Sequence, residues 1–405
     1  MALRRSLLFT NFFAADASGG LGPYLGIYLL SVLGWHAGSI GIVLALGTIA
    51  TVIVQTPAGA LIDKVHWKRT LLALCGGTIG VATVAIPIIG TDAVVYASQI
   101  LVGIGAAFIG PCIAAMTLGL VGPDNFTRQA SANAMGNHTG NVVSATLAAV
   151  IALYIAEAGV FYLVGVMAVG MIISIACIPG KEIDHEVARG GLADEGTGEK
   201  KPSGFKTLLE DRSLVIFALC IVLFHFANAA MLPLVSQKLS EGSDAEHGTA
   251  FTSACIIAAQ IVMGIMAWLC GRTADSWGRK PLFLVAFAVM PVRGVLFSLG
   301  DDPVYLVAVQ ALDGVANGVF GVMFLLIVAD LTRGTGRFNV VQGALTTLVG
   351  IGASLSNLIA EQIADFFGYD TAFLSLACVA IVGLTIFLFF MPETAPHKQK
   401  DAVPG

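Results

Sequence analysis

Residues 59–69 read GALIDKVHWKR, and residues 271–280 read GRTADSWGRK. Each stretch has a glycine, an aspartate four positions on, and a basic cluster beyond it, and Asp63 and Asp275 stand 212 positions apart. A second pair of segments agrees. SQILVGIGAAFIG (98–110) and VQALDGVANGVFG (309–321) share Gln99/Gln310, Leu101/Leu312, Gly103/Gly314 and Gly110/Gly321 at an offset of 211. Two independent segments with nearly the same spacing point to an internal duplication. The chain reads as two parallel repeats.

The sequence around these loops is apolar. A bilayer core about 30 Å thick takes roughly 20 apolar residues in a helix rising about 1.5 Å per residue. Twelve runs meet or approach that length, at 6–33, 38–62, 70–90, 93–121, 131–156, 159–179, 214–237, 250–270, 281–299, 303–331, 340–366 and 370–391. The expected class is therefore an all-α membrane protein of twelve transmembrane helices. The longest polar segment, 181–213, separates six spans from six and reads as a cytoplasmic linker, with a short amphipathic helix near Phe205–Leu209. The expected organisation is a six-helix bundle over 1–180, the linker, a second six-helix bundle over 214–392 and a cytoplasmic tail over 393–405.

Placing the N-terminus inside puts 19 of the 21 Lys and Arg residues on the cytoplasmic side. Only Lys238 falls outside, and Arg293 lies within a span. This bias orients the chain with both termini cytoplasmic and requires an even number of spans.

Of the 405 residues, 57% are hydrophobic and only 12% charged, about half the charge of a soluble domain. The seven cysteines match no metal or redox spacing, so neither a metal site nor a cofactor is expected. No basic stripe suggests nucleic acid. The N-terminal apolar run reads as a span and not as a cleavable signal. The glycine run GGLGPYLG (19–26) lacks the Lys-Ser/Thr of a phosphate loop and lies inside a span, so no ATPase is indicated.

Span count, linker, repeat and loops together resemble the major facilitator superfamily, whose signature is a G-x-L-A-D-R-x-G-R-K loop between spans 2 and 3, weakly repeated between spans 8 and 9. The second copy here, with Gly271, Asp275, Gly278, Arg279 and Lys280, is the better match. In the first, Gly59 and Asp63 are in place, His66 replaces the second glycine, and the basic pair is displaced to Lys68 and Arg69. The resemblance implies two pseudo-symmetric bundles, spans 1, 4, 7 and 10 around a central cavity, and loops whose charged clusters hold one conformation and break in another. Asp330, at the end of span 10, is expected to join the second cluster. The family's drug-antiporter pattern is incomplete: Gln99 occupies the span 4 position where an arginine is often found, and span 5 lacks the proline.

Ionisable residues inside spans are costly and point to function. Asp16, His138, His225, Asp313 and Arg293 all count to mid-bilayer depth. Asp16 and Asp313 are the candidate proton sites, because burial favours the neutral carboxyl. Each has a structural alternative: Asp16 as a hydrogen-bonding group that steadies a bent helix, Asp313 as the ion-pair partner of Arg293. Candidate substrate contacts are Gln99, His138, Asn141, His225, Asn228, Gln260 and Asn317. His225/Asn228 and His138/Asn141 each lie one helical turn apart. The aromatic residues show no cage pattern and read as packing.

The reading is a non-enzymatic secondary transporter that moves a small organic solute by alternating access, with proton-coupled export of a drug-like compound or a metabolite such as a siderophore as the expected direction. Proton-coupled nutrient uptake and a non-transporting receptor or scaffold are the alternatives. The expected partners are solute, proton and bilayer, in a bacterial inner membrane. One chain holds both halves, so a monomer suffices.

Overall fold

The computed structural model describes residues 2–15, 25, 28–29, 32–35, 37–155, 158–191, 211–241 and 245–395. Asp16, the Phe205–Leu209 segment and the end of the tail lie outside them. Every regular element among the described residues is helical.

The chain divides into two compact units. The first is the described part of Met1–Lys201 together with Arg333–Ala344. It contains α1 (Ala2–Ala14), α2 (Ala37–Lys64), α3 (Lys68–Ile89), α4 (Asp92–Tyr154), α5 (Gly159–Ala176) and the short α6 (His185–Ala188). Helix α4 runs for 63 residues and breaks at Gly122, where φ is 70° and ψ 170°. Only glycine adopts that conformation at low cost, and Pro123 follows it, so α4 supplies two spans.

The second unit is the described part of Pro202–Thr332 with Leu345–Gly405. It holds α7 (Arg212–Asn228), α8 (Met231–Glu241), α9 (Ala245–Trp277), α10 (Arg279–Phe297), α11 (Pro303–Leu331), most of α12 (Phe338–Phe367) and α13 (Tyr369–Phe390). Span 7 is interrupted between α7 and α8, just before Pro233, which has no backbone N–H to continue the ladder. At the break the Ala230 N–H donates to Ser356 Oγ at 3.1 Å.

Ten helical stretches are long and apolar enough to cross a membrane, and one of them, Asp92–Ala148, is the double-length one broken at Gly122. With the span that α1 begins, the architecture is twelve transmembrane helices in two six-helix bundles. The outer faces are apolar: Val81 is 73% exposed, Val166 65% and Phe389 73%. Water would oppose such a surface, and lipid does not.

The duplication is visible in the packing. A Cβ on Gly103 would lie 2.2 Å from the Gly47 carbonyl oxygen, and a Cβ on Gly314 2.5 Å from that of Ala259. Span 4 thus meets span 2, and span 10 meets span 8, through the same backbone-to-backbone contact, which only small residues permit.

The first residues of the expected linker fold against the first unit. Asp184 N–H donates to Gly119 O at 3.0 Å, and Asp184 caps α6 through the N–H groups of Glu186 and Val187. Gly190 O and Arg189 O then accept from the N–H groups of Gly334 and Phe338. Those bonds are why Arg333–Ala344 groups with the first unit.

Candidate functional site

The second unit holds a ring of polar side chains inside its bundle. Helix α10 contributes Arg293, α11 contributes Asp313 and Asn317 four residues apart, and α7 contributes Asn228. Arg293 Nη1 donates to Asp313 Oδ1 and, at 2.7 Å, to Asn228 Oδ1. Asn317 Nδ2 donates to Asp313 Oδ1 at 2.8 Å, and Asn228 Nδ2 donates to Asn317 Oδ1 at 3.4 Å. The Arg293 side chain has no exposed surface, while Asp313 keeps 12% of its own. A buried guanidinium survives only because a carboxylate and neutral acceptors surround it. Its Nε and Nη2 have no hydrogen-bond partner among the described residues, and its Cζ lies 5.5 Å from the Phe297 ring centroid.

His225 does not join this ring. Its Nδ1 lies 3.2 Å from Ile221 O, and its imidazole packs edge-on against Phe320 with centroids 4.5 Å apart. Phe320 belongs to a cluster with Phe224, Phe283, Phe287, Phe324 and Phe387, where Phe224 and Phe320 stack at 4.8 Å. The sequence hid this cluster because its members are spread over four helices. Gln310, the repeat counterpart of Gln99, is fully buried, with neither amide atom hydrogen-bonded among the described residues. Gln260 is half-buried on α9.

The first unit carries a neutral polar line. Asn141 Nδ2 donates to Asn137 Oδ1 at 3.2 Å, Asn137 Nδ2 to Asn11 O at 3.4 Å, and Asn11 Nδ2 to Leu7 O at 2.9 Å. Asn141 therefore turns to Asn137, while His138 is half-buried beside them on the same helix. Gln99 is buried in the α2–α4 contact, where a Cβ on Gly47 would lie 3.3 Å from its Oε1.

The two signature loops have diverged in use. Asp63 accepts from the Asn339 N–H at 3.2 Å, Asn339 Nδ2 at 2.8 Å and the Val340 N–H at 2.9 Å. It thereby caps the N-terminus of α12, where a carboxylate suits the helix dipole. Gly59 makes room for this, because a Cβ there would lie 2.1 Å from Asn339 O. Lys68 is buried and donates to Val65 O at 2.6 Å, and Arg69 donates to Ile175 O and Ala176 O at the end of α5. Next to these, desolvation and then the neighbouring Lys68 ammonium hold the His185 imidazole below its usual range.

In the second loop Arg279 is the hub. Its Nε donates to Asp330 Oδ2 at 3.1 Å and its Nη1 to Asp275 Oδ1 at 2.8 Å. Glu393 completes the cluster: its carboxylate accepts from the N–H groups of Arg279, Lys280, Thr394 and Ala395. Gly278 has φ 101°, and a Cβ there would lie 2.4 Å from Glu393 Oε2, so only glycine fits. Gly271 lies on the preceding α9 as the partner of Gly59. Sequence reasoning missed Glu393 because it opens a polar tail; the Pro392 before it was the available sign of a chain reversal.

A family model described as Major Facilitator Superfamily matches residues 7–290 and, in an overlapping second match, 214–404. An uncharacterized MFS-type transporter of Mycobacterium tuberculosis is 45% identical over 390 residues, covering 96% of this chain and 93% of its own. An uncharacterized MFS-type transporter of Bacillus subtilis, YvkA, is 26% identical over 145 residues, 35% of this chain and 32% of its own. Among solved structures, the human organic anion transporter MFSD10 superposes with a TM-score of 0.70 at 15% identity, over 95% of this chain and 99% of that one. The proton:xylose symporter XylE superposes with a TM-score of 0.71 at 13% identity, over 97% and 95%.

Proposed function

We infer from this site that the chain, which belongs to the Major Facilitator Superfamily and is a multi-pass membrane transporter, exports a small organic solute by alternating access in exchange for protons. The solute is a drug-like compound or a metabolite such as a siderophore, and the membrane is a bacterial inner membrane with both chain termini on its cytoplasmic side.

One observation carries the coupling. Asp313 Oδ1 is saturated by Arg293 and Asn317, while Oδ2 accepts no hydrogen bond among the described residues and the side chain stays partly exposed. A proton arriving at Oδ2 neutralises the carboxylate: Oδ1 still accepts from Arg293, but the guanidinium loses its counter-charge. Losing it restores the ion pair. The two states differ by one full charge beside an immobile cation, which is what a coupled cycle needs to bias a conformational equilibrium. Asp16 is the proposed second proton site. Gln99, His138, Asn141, His225, Asn228, Gln260 and Asn317 are the proposed solute contacts. The Asp63 cap on α12 and the Arg279 cluster are the proposed gates, because each would have to open for the helices it ties to separate.

The test is proton movement in proteoliposomes carrying a pH gradient, with a panel of organic solutes added to wild type, Asp313→Asn and Asp16→Asn. Solute-dependent proton flux that is lost in Asp313→Asn, with solute counterflow kept, supports the reading. Counterflow of a solute with no proton movement in wild type refutes the coupling. Flux in which proton and solute travel together refutes export by exchange and leaves uptake.

A further inference from the structure

A cleft at the head of α3 serves none of the roles above. It opens between the start of α3 and the end of α5, with His66, Trp67, Arg69, Thr70 and Ala73 along one wall and Ile172 along the other. Its electrostatics are best read against the other repeat. Lys68, which begins α3, and Arg279, which begins α10, stand 211 positions apart. At α10 the first-turn N–H groups are capped by the Glu393 carboxylate. At α3 the N-cap residue is Trp67, which offers no capping group. Glu393 follows Pro392 after α13, and the residue that follows Pro179 after α5 is Gly180.

The first repeat therefore has the positive end of a helix and a basic residue, Arg69, where the second has those features, with Lys280, plus an acid. Arg69 is partly buried, spends Nε and Nη2 on the carbonyls of Ile175 and Ala176, and pairs with no carboxylate among the described residues. Its Nη1 lies against Gly180, where an added Cβ would be 2.7 Å away. Beyond this basic mouth the cleft runs onto an apolar outer face, where Leu74 is 58% exposed and Ile173 60%. Trp67 is half exposed at the boundary, the depth at which tryptophan anchors in a bilayer.

We propose that this cleft binds the phosphate of an anionic membrane lipid. Arg69, the Thr70 hydroxyl and the first-turn N–H groups of α3 surround the phosphate in place of the missing carboxylate. An acyl chain lies along the exposed faces of α3 and α5. The apolar wall selects a lipid over a soluble phosphate, and the uncompensated cation selects an anionic headgroup over a zwitterionic one. The site stands on the membrane fold and does not depend on the proposed transport cycle.

Native mass spectrometry of the full-length protein in detergent tests this, with phosphatidylglycerol, phosphatidylcholine of the same chains, or inorganic phosphate added. Wild type should retain phosphatidylglycerol in preference to phosphatidylcholine. Arg69→Gln should lower that occupancy about tenfold, the weight of one charge-assisted hydrogen bond. Gly180→Glu should do the same by supplying the carboxylate the other repeat has. Thr70→Val, at an exposed position, should give a loss of about threefold and keeps the proposal testable if either of the others fails to fold. Equal retention of the two lipids, or occupancy unchanged by the variants that fold, would overturn it. So would displacement of phosphatidylglycerol by millimolar inorganic phosphate, which would mark a free-anion site.

Discussion

Replacing Asp313 with leucine removes the carboxylate that pairs with the fully buried Arg293. With charge centres about 4 Å apart and an effective dielectric of about 20, the lost Coulomb energy is about 4 kcal/mol. That falls within the roughly 3–5 kcal/mol seen when one member of a buried pair is deleted. Asn228 still accepts from Arg293 Nη1 but carries no charge to balance it. The double variant Arg293→Met, Asp313→Leu removes both charges and should recover most of the loss, because the neutral pair avoids the desolvation penalty on both sides. The assay is equilibrium unfolding of the purified protein in mixed micelles, run as a double-mutant cycle with Arg293→Met alone. The expected coupling energy is about 2–3 kcal/mol, toward the upper end for residues in contact. A single variant as stable as wild type, or a double variant no better than the worse single, would refute the assignment of Arg293 and Asp313 as a mutually dependent pair.

Other consequences are as direct. Gly59→Ala should destabilise by about 1–3 kcal/mol, since its Cβ would meet Asn339 O, whereas Gly110→Ala, with nothing within 4 Å, should be neutral or slightly stabilising in thermal unfolding. Glu393→Ala removes the cap from α10 and should cost about 1 kcal/mol, with faster amide exchange at Arg279 and Lys280 as its local signature. His185 has a folded pKa below its ordinary 6.5, so the neutral imidazole is the form the fold holds. Its contribution is complete above pH 6.5 and is lost as pH falls through the lower folded value. Exchange in 183–191, corrected for the intrinsic pH dependence, should quicken on acidification in wild type and stay flat in His185→Asn; parallel curves would exclude His185 as the cause.

Span number and repeat were legible because both rest on features local to the chain. Apolar runs report span length, and Gly103 and Gly314 report the contact each must permit. The Arg293–Asp313 proximity was also open to counting, since two charges at equal depth have few alternatives to each other. The rest of the ring was not, because Asn228 could have faced His225 on its own helix and instead meets α10 and α11. Glu393 and the phenylalanine cluster were invisible for the same reason: each is defined by which helices touch, and periodicity along one helix carries nothing about its neighbours.

Comparing the repeats separates what holds the fold from what is special to one half. The Gly103–Gly47 and Gly314–Ala259 contacts occur in both, and they pack helices. The charged ring does not recur. At positions 211 before Arg293, Asp313 and Asn317 stand Ala82, Val102 and Ala106, none of which can carry charge or donate a side-chain hydrogen bond. A purely architectural ion pair would be of equal use to either bundle, yet the first packs with small apolar residues at those positions. The second bundle therefore accepts the desolvation cost of a buried arginine that its own repeat shows to be dispensable for the architecture. That asymmetry is the strongest structural reason to look for the proton at Asp313.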